Sequence, residues 1–92
     1  MEFEWDESKA RINLKKHRIS FEEAKTVFND PLMMTFPDPR HSKDEERYLS
    51  IGLSARAHVL VVVHTERQPH IRLISSRKAT PRERRFYEQS DL

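Results

Sequence analysis

Ile71-Arg72-Leu73-Ile74-Ser75-Ser76-Arg77-Lys78-Ala79-Thr80-Pro81-Arg82-Glu83-Arg84-Arg85-Phe86-Tyr87-Glu88 decides how the rest of the chain is read. Ile71 and Leu73 alternate with polar neighbours, which predicts a strand over residues 70–78. Thr80-Pro81-Arg82-Glu83 then supplies a cap, a proline at the first helical position and a carboxylate at the third, the signature of a helix start. A strand therefore runs directly into a helix, and cations crowd the junction. Arg77, Lys78, Arg82, Arg84 and Arg85 face one anion, Glu83, in a chain whose net charge is only +2. Guanidinium groups bind phosphate oxygens in pairs, and a helix N-terminus adds its own positive end. The cluster reads either as a phosphate-binding surface or as a solvated cationic helix face.

Working outward, His58 to Thr65 is apolar on both faces, the pattern of a central strand. Before it, Ala55-Arg56-Ala57 is short enough for a hairpin. From Arg47 onward, Leu49, Ile51 and Leu53 alternate with Tyr48, Ser50 and Gly52. Leu32 to Phe36 reads as one more strand, and Pro37 to Glu46 as a polar loop. In the first third, Phe3 and Trp5 give a short strand, followed by a helix to about Arg18. Ser20-Phe21-Glu22-Glu23 is a capping box that opens a second helix bearing Ala24, Val27 and Phe28, stopped at Asn29-Asp30-Pro31. The expected fold is α+β, in the order β-α-α-β-β-β-β-α. Two N-terminal helices pack on a mainly antiparallel sheet, within a single domain over residues 1–92.

Composition narrows the chemistry. No cysteine is present, so disulfides, thiolate zinc sites and cysteine nucleophiles drop out. The longest apolar run, Val59 to Val63, is far short of the roughly 20 residues that span a bilayer. No signal-like apolar segment follows Met1, so a soluble cytoplasmic protein without a membrane partner is expected. No histidine pair has a metal-site spacing. Asp38, His41 and Asp44 are the nearest thing to a cation cluster, but a plain polar loop accounts for them, so neither a metal nor a cofactor is expected.

Site expectations follow from the faces of the sheet. With Leu49, Ile51 and Leu53 packed on the N-terminal helices, the small residues Ser50 and Gly52 leave room for a ligand beside Tyr48. If Ile71 and Leu73 join the core, Arg72, Ser76 and Lys78 line that same polar face, with Arg77 at the strand's exit. This parity is one bulge away from inversion. His64, followed by Thr65-Glu66-Arg67, offers an imidazole near neutral pH at a strand end, suited either to proton transfer or to a structural hydrogen bond. His17, among Lys15, Lys16 and Arg18, reads as a cation at a helix C-terminus. Tyr48 and Tyr87 lie among cations, where a ring can stack on a base or pack into the core.

Phe3-Glu4-Trp5-Asp6-Glu7, Lys9-Ala10, Asn13, Lys16-His17, Phe21-Glu22-Glu23-Ala24 and Phe28-Asn29-Asp30-Pro31 follow a known pattern. It continues through Glu46-Arg47-Tyr48-Leu49-Ser50-Ile51-Gly52, Val61-Val62-Val63-His64-Thr65 and Ile74-Ser75-Ser76-Arg77-Lys78-Ala79-Thr80. Over nearly its whole length the chain resembles the BrnT toxins of type II toxin–antitoxin systems. The resemblance implies a RelE-like fold, ribonuclease activity that inhibits translation, and neutralisation by a BrnA-type antitoxin with a ribbon-helix-helix domain. It further implies a hetero-oligomer that reaches operator DNA only through that antitoxin and represses its own promoter. Relatives usually carry glycine after the Lys-His pair, where this chain has Arg18. For the reaction, the expectation is RNA cleavage without a metal, with His64, Arg72, Arg77 and Tyr48 as catalytic residues. Lys78, Arg82, Arg85 and Ser76 are then expected to bind RNA.

Overall fold

A computed structural model describes residues 1–41 and 45–90. Strand β1 (Glu2–Glu4) leads into α1 (Glu7–His17), capped by Asp6, whose carboxylate accepts from the Ser8 and Lys9 amides. Helix α2 (Phe21–Ala24) opens on the Ser20 cap and tightens into a 3-10 segment over Lys25–Asn29. Then come β2 (Met34–Pro37), β3 (Tyr48–Leu53), β4 (Val59–Arg67), β5 (His70–Lys78) and α3 (Pro81–Gln89). The five strands lie in the order β1-β5-β4-β3-β2. Only the β1–β5 pair is parallel. This is the expected α+β architecture. The expected hairpin is present: Ala57 donates to the Ser54 carbonyl at 2.9 Å, and Ala57 takes a left-handed φ of 63°. Among the described residues, no helix is long and apolar enough to cross a membrane.

The two faces of the sheet are the reverse of the sequence expectation. Leu60 and Val62 of β4 and Leu73 of β5 pack with Ile19, Phe21, Ala24 and Val27 in one core under the N-terminal helices. Ser50 pairs with Val62, and Gly52 with Leu60, so the small residues of β3 face those helices too. The reason is close approach. A Cβ on Gly52 would stand 2.8 Å from Val27 Cγ1 and 3.2 Å from Asp30 Oδ2. The space read as a ligand site is filled by the 3-10 segment. Ile51 instead packs with Val61, Ala79 and Tyr87 on the other face, under α3, with Leu49 against them.

A bulge completes the inversion. Val63 pairs with Ser75 and His64 with Leu73, leaving Ile74 as the extra residue of β5. Leu73 and Ser76, three apart, therefore lie on the helix side, while Ser75 and Arg77 lie on the other. Helix α1 buries a polar residue against the sheet. Ile12 and Leu14 are exposed, and the buried residue is Asn13. Its side-chain amide donates to the Ser76 carbonyl at 2.9 Å and accepts from the Ser76 amide at 3.0 Å. It donates to the Ile19 carbonyl as well, at 2.9 Å. Strand β1 covers β5 only from His70 to Arg72, and Asn13 takes over beyond it.

Two carboxylates, the buried Glu23 and the half-buried Asp30, tie the layers together. Glu23 accepts from Ser54 Oγ at 2.6 Å and from His58 Nδ1 at 2.8 Å. Asp30 accepts from the Leu53 amide at 2.7 Å and from the Tyr87 hydroxyl. Burial acts to raise both carboxyls, but these hydrogen bonds outweigh it and hold each below its ordinary value.

Candidate functional site

The face of the sheet turned away from α1 and α2 carries a cleft of about 530 Å³. Leu49, Val61 and Val63 form its apolar floor, and Ser75, Ser76, Arg77, His17, Asp38 and Arg40 line the rest. Three parts of the chain converge there. Strand β5 contributes Arg77 because the bulge at Ile74 reverses its parity. Helix α1 lies along the β5 edge, held by Asn13, so His17, one turn later, reaches the same cleft. The segment after β2 brings Asp38 and Arg40, with the Asp38 amide anchored on the Arg47 carbonyl at 2.8 Å.

Arg77 is held rigidly. Its two terminal nitrogens donate to the two oxygens of Glu83, at 2.8 and 3.0 Å, and one also reaches the Lys78 carbonyl at 3.3 Å. Glu83 accepts in addition from the Thr80 amide at 2.8 Å, completing the capping box of α3. The hydrogen bond from Arg77 is the main reason the Glu83 carboxyl falls to about 2. Glu83 in turn stabilises the charged guanidinium of Arg77. The helix cap and the cationic site are thus one unit.

Three residues expected in the site lie elsewhere. His64 is 3% exposed on the helix side of the sheet, with Nε2 hydrogen-bonded to Ser50 Oγ at 2.7 Å. Its ring sits edge-on to Phe28, with centroids 5.0 Å apart, and stacks on Tyr48 at 5.9 Å. Burial pushes its imidazole down to about 4, so it is neutral at physiological pH. The Tyr48 hydroxyl donates to Glu46 at 2.8 Å. Arg72 donates to Glu4 of β1 at 2.8 Å and does not line the cleft.

Of the remaining residues, Arg77 and Ser76 line the cleft, although Ser76 is 1% exposed. Lys78, Arg82 and Arg85 are exposed at the end of β5 and on α3. The cleft also holds His17, expected only as a cation at a helix end, and Arg40 and Ser75, to which no role was assigned. For His17 a signal did exist, since it stands four residues after Asn13 on the same helix face. Asp38 lines the cleft. His41's side chain and Asp44 lie outside the described residues, among which no group of three or more metal-ligating side chains occurs.

A sequence model described as the ribonuclease toxin BrnT of type II toxin–antitoxin systems matches residues 5–83. No curated protein sequence matches. Among solved structures, the 1.1 Å crystal structure of the Brucella abortus ribonuclease toxin BrnT superposes with a TM-score of 0.69 at 24% identity. The match covers 87% of this chain and 97% of that one, and at this identity it establishes the fold alone. The family model, which spans most of the chain, establishes more: this protein belongs to the BrnT ribonuclease toxins of type II toxin–antitoxin systems.

Proposed function

We propose that the chain cleaves RNA in the cleft on the open face of its sheet. The substrate's own 2′-hydroxyl is the nucleophile. The 2′-oxygen–phosphorus bond forms as the bond from phosphorus to the 5′-oxygen breaks, leaving a 2′,3′-cyclic phosphate and a 5′-hydroxyl. A base removes the 2′-proton, and an acid supplies one to the departing oxygen. Negative charge gathers on the phosphate in between, and fixed cations lower that barrier most. The carrying observation is Arg77, held with two nitrogens on Glu83 at the wall of a cleft shared with Arg40 and His17. Arg77 and Arg40 neutralise the reacting phosphate, while Lys78, Arg82 and Arg85 hold its neighbours.

For proton transfer, position favours His17 over His64. The first lines the cleft, and the second is enclosed behind the sheet with Ser50 and Phe28. Metal independence is supported by the cations present. Arg77 and Arg40 already bring to the cleft the positive charge that a divalent ion would supply to the reacting phosphate. Membership of the family implies an antitoxin partner and an RNA substrate. We propose that the antitoxin is of the BrnA type, with a ribbon-helix-helix domain, and that the pair represses its own operator.

The test is end-labelled RNA incubated in EDTA with the wild type and with Arg77→Ala. Cyclic-phosphate ends that disappear in the variant are expected. Intact RNA from folded wild-type protein would sink the cleavage of free RNA. What remained would be a binding module, recognisable by affinity that falls steeply with salt.

A further inference from the structure

We infer that Phe36 and Phe86 form a nucleobase-stacking subsite at the rim of the cleft, one that sets which nucleotide flanks the cut. The inference rests on the cleavage reading above. Both rings are large and apolar, yet 41% and 53% exposed. Their centroids lie 6.2 Å apart at an interplanar angle of 48°. The pair comes from different elements, β2 and α3, so it is assembled by the fold. Phe36 stands directly across from Leu49 in the β2–β3 register, and Leu49 is part of the cleft floor. The aromatic pair is therefore a lateral continuation of that floor.

The surroundings select the occupant. Arg82 lies four residues before Phe86, on the same face of α3, and Arg85 is next to it; all three are exposed. An apolar platform ringed by cations, beside a site for phosphate, matches a nucleotide, whose base is flat and whose backbone is anionic. A tilted pair leaves no parallel slot between its rings. One ring offers its free face and the other borders the base at its edge, so recognition comes through stacking strength. A preference for purines over pyrimidines follows, because the larger ring covers more aromatic surface.

The experiment uses an uncleavable 2′-O-methyl decamer and a set of the same decamers with one abasic position each. Wild type, Phe86→Ala, Phe36→Ala and Phe86→Trp are compared by anisotropy, and cutting of natural RNA is mapped in parallel. Both phenylalanines are exposed, so the variants should fold, which circular dichroism checks. Wild type should lose about tenfold in affinity at one abasic position, within the range of a single base–aromatic stack. Phe86→Ala should lose that discrimination, and Phe86→Trp should keep it. If the alanine variants discriminate as wild type does, or instead lose only the antitoxin, the subsite is overturned even where RNA is still cut. Ring-dependent discrimination without any cutting would uphold the subsite and remove the nuclease reading. No binding to any decamer would remove both.

Discussion

The two faces of this sheet are built from the same strands and answer opposite demands. On the helix side, Leu60, Val62 and Ser50 are fully buried, and His64 retains only 3% exposure. On the far side, Leu49, Val61 and Val63 floor a cleft whose walls are His17, Asp38, Arg40 and Arg77. A histidine on the first face is neutral and locked into packing. His17, reaching the second from α1, lines the same cleft as Arg40 and Arg77. Position in the fold, more than residue type, decides which histidine is enclosed and which faces the cleft.

That contrast can be broken most directly at Arg77. Its replacement by alanine should cut RNA cleavage by about 10³-fold, the scale of losing a fixed charge at a reacting phosphate. The melting temperature should move little, because a half-exposed ion pair contributes about 1 kcal/mol or less. A variant that cleaves normally would remove the open face from the chemistry.

The helix side should answer to acid instead. His64 is pushed down to about 4 in the folded protein, against an ordinary 6.5. Between these values the unfolded chain binds more protons, so stability falls as the pH drops through this window. The full shift corresponds to roughly 3 kcal/mol. Urea melts at pH 7 and pH 4.5 should show most of that loss, and His64→Gln should flatten the dependence. An acid limb unchanged in that variant would assign the sensitivity to other groups. The rate per folded molecule should survive in His64→Gln, whereas His17→Ala should lose about 10²-fold in kcat. The opposite pattern of rates would move proton transfer behind the sheet.

Smaller effects sharpen the packing side of the comparison. Gly52→Ala would drive a methyl group into Val27, 2.8 Å away, and should cost about 2 kcal/mol in denaturant melts. A neutral result would mean that the 3-10 segment yields easily. Arg18 follows α1 in the left-handed region, with φ 61°, a conformation that glycine adopts without a steric penalty. Arg18→Gly should therefore stabilise by about 1 kcal/mol, and a lower melting temperature would show that the arginine side chain matters more than its backbone strain.

What could be read in the sequence was local. The strand over residues 70–78 and the Thr80–Glu83 capping box stand where alternation and cap chemistry put them. So do the helix start at Ser20 and the hairpin at Ala55–Ala57. The faces were not legible, because parity is set by pairing across strands. One extra residue at Ile74 puts Arg77 and Ser76 on sides that simple alternation from Leu73 assigns the other way. Ser50 and Gly52 looked like room for a ligand, yet a small residue makes equal room for a helix. The same limit hid the cleft. His17, Arg40 and Arg77 are far apart in the chain, and nothing local announces their meeting.

Asn13 has a consequence beyond holding α1. The amide occupies the backbone N–H and C=O of Ser76 as a neighbouring strand would, at the stretch of β5 that β1 leaves uncovered. A single side chain thus stands in for a missing strand and withholds an open template from other chains. Remove it, and with α1 still lying along that edge the cost falls on the strand itself, whose Ser76 amide and carbonyl would be buried without these partners.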